Sequence, residues 1–114
     1  MKILICGERN VHNRYLIYKT LTPLHRSKPI TSVAHTNESG IGRIIAKWAK
    51  QHGVEEIVYT PSWYDQKEPV LRNAMLLAFE SPDVVIAMSD DLATRNLVAM
   101  ARKNHIKTLE VGSK

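Results

Sequence analysis

Short apolar runs alternate with amphipathic stretches along the whole chain, and this alternation constrains the fold more than any other feature. An apolar run of five or six residues is typical of a strand buried on both faces, whereas apolar residues at helical spacing indicate a helix. The clearest helix carries Ile41, Ile45 and Trp48 on one continuous stripe. The pattern as a whole predicts the order βαβαβαβαβ.

Five strands and four helices follow from this pattern. The predicted strands are Lys2–Cys6, Pro29–His35, Glu55–Tyr59, Asp83–Met88 and Ile106–Val111. The predicted helices are Val11–Thr22, Ser39–His52, Pro69–Glu80 and Asp91–Asn104.

The helix ends have their own sequence signals. Asn10 is expected to be the N-cap of the first helix, and Gly53 is expected at the C′ position that follows the end of the second helix. Pro23 cannot donate a backbone hydrogen bond, so we expect the first helix to end or kink there. The fourth helix is expected to start from Ser89 or Asp90.

Apolar strands that alternate with helices predict a parallel sheet with helices on both faces. Right-handed crossovers then leave few topologies. We therefore expect an α/β fold: a three-layer, Rossmann-like, doubly wound parallel sheet of five strands. The sequence does not determine the strand order, and among the remaining topologies we expect 3-2-1-4-5. A length of 114 residues predicts a single domain over 1–114.

Composition and charge exclude several classes of function. The net charge of +5 is scattered along the chain without a block of like charges, which predicts a solvated surface and no specific nucleic-acid partner. No apolar run approaches the ~20 residues of a membrane helix. The apolar start is too short for a signal peptide, so we expect a cytoplasmic protein without a membrane partner.

Cys6 is the sole cysteine and is expected to be a buried small hydrophobe.

A ligand site in such a sheet is expected beyond the carboxyl ends of the strands, where the strand order reverses. The positive charge of Arg9 is suited to binding an anion. Asn37 and Gly40 lie at a helix start, where free backbone N–H groups also attract anions, and Trp63 offers a flat ring for a base or a sugar. Each also has a structural interpretation: a salt bridge for Arg9, a cap for Asn37 and loop packing for Trp63. His35 is more simply a buried, hydrogen-bonded histidine, and Trp48 is expected in the core.

The order of several short motifs resembles a known family. The motifs are Gly7 with Arg9, His35 with Gly40, Trp48-Ala49, Trp63, the run Pro69 to Met75 with Arg72 and Asn73, and Pro82 to Met88. Together they resemble the small YpsA-related branch of the SLOG superfamily, whose Rossmann-like domains are related to the LOG phosphoribohydrolases and to DprA.

The departures from that family fall on its ligand site. Ser89 to Thr94 replaces a glycine-rich phosphate loop, of which Thr94 alone is retained, and Leu97 stands at the catalytic glutamate of the LOG enzymes. Glycines allow close approach to a phosphate, whereas Asp90 and Asp91 would repel one. Paired aspartates can hold Mg²⁺, but adjacent ones at a helix start are far more often caps, so we expect no metal and no cofactor.

The resemblance implies a domain that binds a nucleotide or nucleotide derivative through a degenerate phosphate loop, without catalysis. The implied ligand-binding residues are Gly7, Arg9, His35, Asn37, Gly40, Trp63, Arg72, Asn73, Ser89, Asp90, Asp91 and Thr94. Two alternatives stay open: a protein-interaction module on this scaffold, and a weak N-glycoside or phosphoester hydrolase using Asp90 or Asp91. Self-association as a homodimer is also expected, because relatives of this kind often pair through helices.

Overall fold

A computed structural model describes residues 1–7, 14–36, 41–59, 68–89 and 91–111. Within these ranges the chain alternates strands and helices in the predicted order. The strands are β1 Lys2–Cys6, β2 Ser32–His35, β3 Glu55–Val58, β4 Val84–Ala87 and β5 Lys107–Glu110. The helices are α1 Arg14–Ser27, α2 Ile41–His52, α3 Pro69–Glu80 and α4 Leu92–Lys103.

The five strands form one parallel sheet, as the sequence predicts, and their order is the expected β3-β2-β1-β4-β5. The order reverses between β1 and β4, which pair directly from Ile3 with Val84 to Cys6 with Ala87. These strands are apolar along their length because both of their faces are buried. The carboxyl ends of β1 and β4 therefore form the topological switch point of the sheet.

Side chains alternate between the two faces of the sheet and form two separate core clusters. On one face Ile3, Ile5 and Val33 pack under α1 and α2, around the fully buried Trp48. On the other face Leu4 and Val85 pack under α3 and α4. We call these the α1–α2 layer and the α3–α4 layer, and they confirm the doubly wound three-layer fold.

The predicted end of α1 at Thr22 is wrong, because the helix continues through Pro23 to Ser27. Packing outweighs the hydrogen bond that proline removes. Leu24 contacts the α1–α2 core, and His25 lies edge-on to Trp48 with 5.6 Å between ring centroids. His25 Nδ1 also accepts a hydrogen bond of 3.0 Å from the Ile30 amide, which fixes the chain beyond the helix.

The start of α4 also differs from the prediction. The helix begins at Leu92, and Asp91 rather than Ser89 or Asp90 is its N-cap. Asp91 Oδ1 accepts a hydrogen bond of 3.2 Å from the Thr94 amide, and Asp91 has extended backbone angles. The predicted N-cap Asn10 and the first residues of the first two helices lie outside the described ranges.

Candidate functional site

The candidate site is a narrow pocket at the switch point, on the α3–α4 side of the sheet. Its walls come from the ends of β1 and β2 and from the first turns of α3 and α4. The described residues that line it are Cys6, Gly7, Thr36, Arg72, Asn73, Leu76, Asp91, Ala93, Thr94 and Leu97.

Gly7 allows β1 and β4 to end close together at this pocket. A Cβ atom at Gly7 would lie 2.7 Å from Met88 Cβ, well inside a van der Waals contact. The Met88 amide donates a hydrogen bond of 2.7 Å to the Cys6 carbonyl, so the backbone leaves little room for separation. A glycine is therefore required where the two strands lead into the pocket.

Asn73 joins the two helices that form the pocket. Its side chain is 2% exposed, and Nδ2 donates to the Ala93 carbonyl at 2.8 Å and to Asn96 Oδ1 at 3.0 Å. Both amide hydrogens are therefore directed at α4, so Asn73 has a structural role here. This link holds the first turn of α3, with the adjacent Arg72, against the first turn of α4.

The N-terminus of α4 carries its own anion. The Asp91 carboxylate caps the Thr94 amide and also accepts a hydrogen bond of 3.2 Å from the Ser89 hydroxyl. Ser89 Oγ lies 3.4 Å from Thr94 Oγ1, so the three side chains form one polar cluster. The free N–H groups that make a helix start attractive to anions are partly satisfied from within the chain.

The pKa of the Cys6 thiol depends on burial and on two charged groups that line the pocket. Burial of the thiol, with a smaller contribution from the negative charge of Asp91, raises its pKa from 9.0 to about 12, while the Arg72 guanidinium acts in the opposite direction. The cation and the anion thus both act on one sulfur atom. At neutral pH the Cys6 side chain is a neutral thiol and not a nucleophilic thiolate.

His35 lies on the other side of the sheet. Side chains alternate along β2, so His35 shares the α1–α2 face with Val33, whereas Thr36 lines the pocket. His35 is 2% exposed, and its Nε2 lies 2.6 Å from Glu56 Oε2 on β3. This is the buried, partnered histidine that the structural interpretation of the sequence predicts.

The structure thus brings together five of the twelve ligand-binding residues that the resemblance implies. One pocket is lined by Gly7, Arg72, Asn73, Asp91 and Thr94. At its edge, the Ser89 hydroxyl donates a hydrogen bond to Asp91. Arg9, Asn37, Gly40, Trp63 and Asp90 lie outside the described ranges.

Sequence reasoning placed Thr36 in a loop at the expected site but selected neither Thr36 nor Cys6 as a ligand-binding residue. Cys6 ends an apolar strand, so the sequence predicts that it belongs to the core. Thr36 follows His35 in the chain, and the alternation of a strand would have indicated that these neighbours face opposite sides.

Comparison with known families identifies the chain. A family model described as "YspA, cpYpsA-related SLOG family" matches residues 1–65, which is more than half of the sequence. The chain belongs to this SLOG family. The matched part runs from β1 through β3 and so includes Gly7 and Thr36, whereas α3 and α4 lie beyond it.

The solved structures that match this chain include one with a similar fold at low sequence identity. The crystal structure of UDP-GlcNAc 2-epimerase from Neisseria meningitidis bound to UDP-GlcNAc matches with a TM-score of 0.58 and 16% identity. The match covers 96% of this SLOG chain and 31% of the epimerase chain. The curated proteins give no match. At this identity the epimerase establishes the fold and nothing further.

Two observations concern metals and membranes. In the described ranges, no group of three or more histidine, cysteine, aspartate or glutamate side chains is arranged to hold a metal ion. None of the four helices, over their described lengths, is long and apolar enough to cross a membrane.

Proposed function

We propose that this SLOG domain binds a nucleotide or a nucleotide derivative at the switch-point pocket, without catalysing its conversion. The observation that carries the proposal is the convergence of Arg72 and the α4 N-terminus on the pocket that Gly7 opens. A guanidinium beside helix N–H groups suits the oxygen atoms of a phosphate. The position is also where open α/β sheets hold their ligands.

Asp91 makes this a degenerate phosphate site. Its carboxylate caps Thr94, so an incoming phosphate meets a negative charge where a glycine-rich loop would offer only N–H groups. Arg72 supplies the compensating positive charge. The ligand we propose therefore makes few contacts through a terminal phosphate and derives affinity from its base, its sugar or a bridging diphosphate.

Two features of the pocket favour binding without catalysis. Leu97, at the position of the catalytic glutamate in the LOG enzymes, is buried in the α3–α4 core and offers no proton donor or acceptor. The Cys6 thiol, with its pKa raised to about 12, is not a nucleophile at neutral pH. We therefore expect AMP incubated with the protein to release no adenine.

A protein-interaction function is the second candidate, and one surface favours it. The outer side of α3 exposes Val70, Leu71 and Phe79, each with more than half of its surface accessible. Exposed apolar residues grouped on one helix are typical of a contact surface for another protein or a second copy of the chain. A concentration-dependent dimer that Leu71→Asp dissociates would support this candidate.

Thermal shift with AMP, ADP, UMP and UDP tests the first proposal. A ligand at about 100 times its Kd stabilises the folded state by about 2.7 kcal/mol, which raises Tm by on the order of 10 °C in a domain of this size. Arg72→Ala should abolish the shift. Lys103→Ala is the matched control, because it removes one positive charge from an exposed side chain at the far end of α4.

Asp91→Asn provides a gain-of-function arm. The amide oxygen of asparagine can still cap Thr94, so stability should change little, while removal of the negative charge should tighten phosphate binding by about tenfold. The proposal is wrong if no nucleotide raises the Tm of either the wild type or Asp91→Asn. It is also wrong if Lys103→Ala reduces the shift as strongly as Arg72→Ala.

A further inference from the structure

The two helical layers differ sharply in charge. Residues 14–36 and 41–54, which contain the described lengths of α1 and α2, include no aspartate or glutamate. Seven basic side chains on this layer are exposed: Arg14, Lys19, Arg26, Lys28, Arg43, Lys47 and Lys50. The α3–α4 layer instead mixes signs, with Arg102 Nη2 lying 2.7 Å from Glu110 Oε2.

The seven basic side chains of α1, α2 and the following residues have no ion-pair partner in the described parts of the chain. None of the seven forms an ion pair with a carboxylate in those ranges, where the salt bridges are His35–Glu56 and Arg102–Glu110. Unpaired cations spread over two neighbouring helices produce a positive potential that attracts a polyanion. On the described parts of α1 and α2, lysines and arginines that are scattered in the sequence thus form a surface of one sign.

A groove between α1 and α2 adds aromatic surface to this charge. It is lined by Arg14, Tyr15, Tyr18, Lys47 and Gln51. Tyr18 Oη donates a hydrogen bond of 2.7 Å to Gln51 Oε1 and so ties the helices together at the groove. Tyr15 is 70% exposed, and a cation lies on its ring, with Lys19 Nζ 5.7 Å from the centroid.

We propose that the α1–α2 layer binds single-stranded nucleic acid without sequence preference. Arg14, Lys47 and their basic neighbours contact successive phosphates, and an unpaired base stacks on Tyr15. A positively charged groove that follows the backbone, combined with an exposed aromatic ring, is the arrangement that such binding uses. This surface is separate from the switch-point pocket, which lies on the other face of the sheet.

The composition of the surface favours nucleic acid over two other polyanionic partners. Four of the seven basic residues are lysines, which are depleted at protein–protein interfaces. A helix that lies on an anionic membrane inserts large apolar side chains, and Tyr15 is the only large hydrophobic residue exposed on the described parts of α1 and α2.

Fluorescence anisotropy with labelled oligothymidylate and oligouridylate of about 20 nucleotides tests the proposal. Affinity should fall between about 50 and 200 mM salt, with a log–log slope of about −0.7 for each phosphate contacted. Arg43→Glu with Lys47→Glu should weaken binding at least tenfold and flatten that slope. Tyr15→Ala should weaken binding by about tenfold, and Tyr15→Phe should restore it.

The control keeps the same change in net charge on other elements. Lys103→Glu with Lys107→Glu reverses two exposed charges on α4 and β5 and should leave affinity within about twofold. Arg72→Ala should also leave it unchanged, which separates this surface from the proposed nucleotide site. The proposal is overturned if neither oligonucleotide binds at low salt, if both double variants weaken binding equally, or if vesicles of anionic lipid bind and the oligonucleotides do not.

Discussion

The Cys6 thiol has a cationic and an anionic neighbour in Arg72 and Asp91, but its pKa responds to burial more than to either. Its sulfur packs against the α3–α4 core and lies 3.6 Å from the Ile86 carbonyl. The sequence indicates this apolar environment, because Cys6 ends a run of aliphatic residues. It does not indicate the two charges, because both come from distant helices.

This environment predicts a thiol that is slow to react. A rise in pKa from 9.0 to about 12 lowers the thiolate fraction at mildly alkaline pH by about a thousandfold. Alkylation of the folded protein with iodoacetamide should therefore be slow and should become fast in denaturant. Arg72→Ala should slow it further and Asp91→Asn should accelerate it; a folded-state rate equal to that of a free thiol would contradict this account.

At the scale of elements, the helices are predictable in position but not at their ends. Apolar periodicity locates all four helices, because it reflects the face each one buries. Pro23 predicts an early end for α1, but contacts of Leu24 and His25 with the core extend the helix by more than a turn. Local propensity is thus outweighed where later residues of the same helix are well packed.

The absence of the hydrogen bond that Pro23 removes from α1 is therefore expected to lower the free energy of unfolding. Pro23→Ala restores a donor to the Lys19 carbonyl, and we expect it to stabilise the protein by about 2 kcal/mol, after allowance for the more flexible unfolded chain. Urea unfolding measures the change. Pro29→Ala is the matched control, since Pro29 lies in the connection before β2, and it should be neutral or slightly destabilising. Equal effects of the two substitutions would contradict the explanation.

At the scale of the whole molecule, the sheet order places the ends of β1 and β4 side by side. This adjacency joins the two halves of the chain and creates the pocket. Right-handed crossovers and two-sided burial leave few alternatives for this order, but local signals do not choose among them. Nor do local signals predict the closeness of the approach at Gly7, since it depends on Met88, which lies about eighty residues away along the chain.

Gly7→Ala tests that approach. The added Cβ atom would meet Met88 Cβ at 2.7 Å, so the two strand ends must separate, and we expect a loss of about 1–3 kcal/mol in the free energy of unfolding. Gly53→Asn serves as the control: Gly53 has φ +66°, nothing lies within 4 Å of a Cβ there, and asparagine tolerates this conformation. An unchanged unfolding midpoint for Gly7→Ala would show that the strand ends yield easily.

Local signals in the amino-acid sequence were enough for the element types, the parallel sheet and the edge where a ligand site is expected. Each of these follows from periodicity, burial or handedness, which act within one or two neighbouring elements. Long-range packing settled the rest: His35 faces away from the pocket, Asp91 occupies the start of α4, and seven scattered cations share one layer. Those outcomes depend on which elements become neighbours in space, and that is set by the free energy of the whole fold.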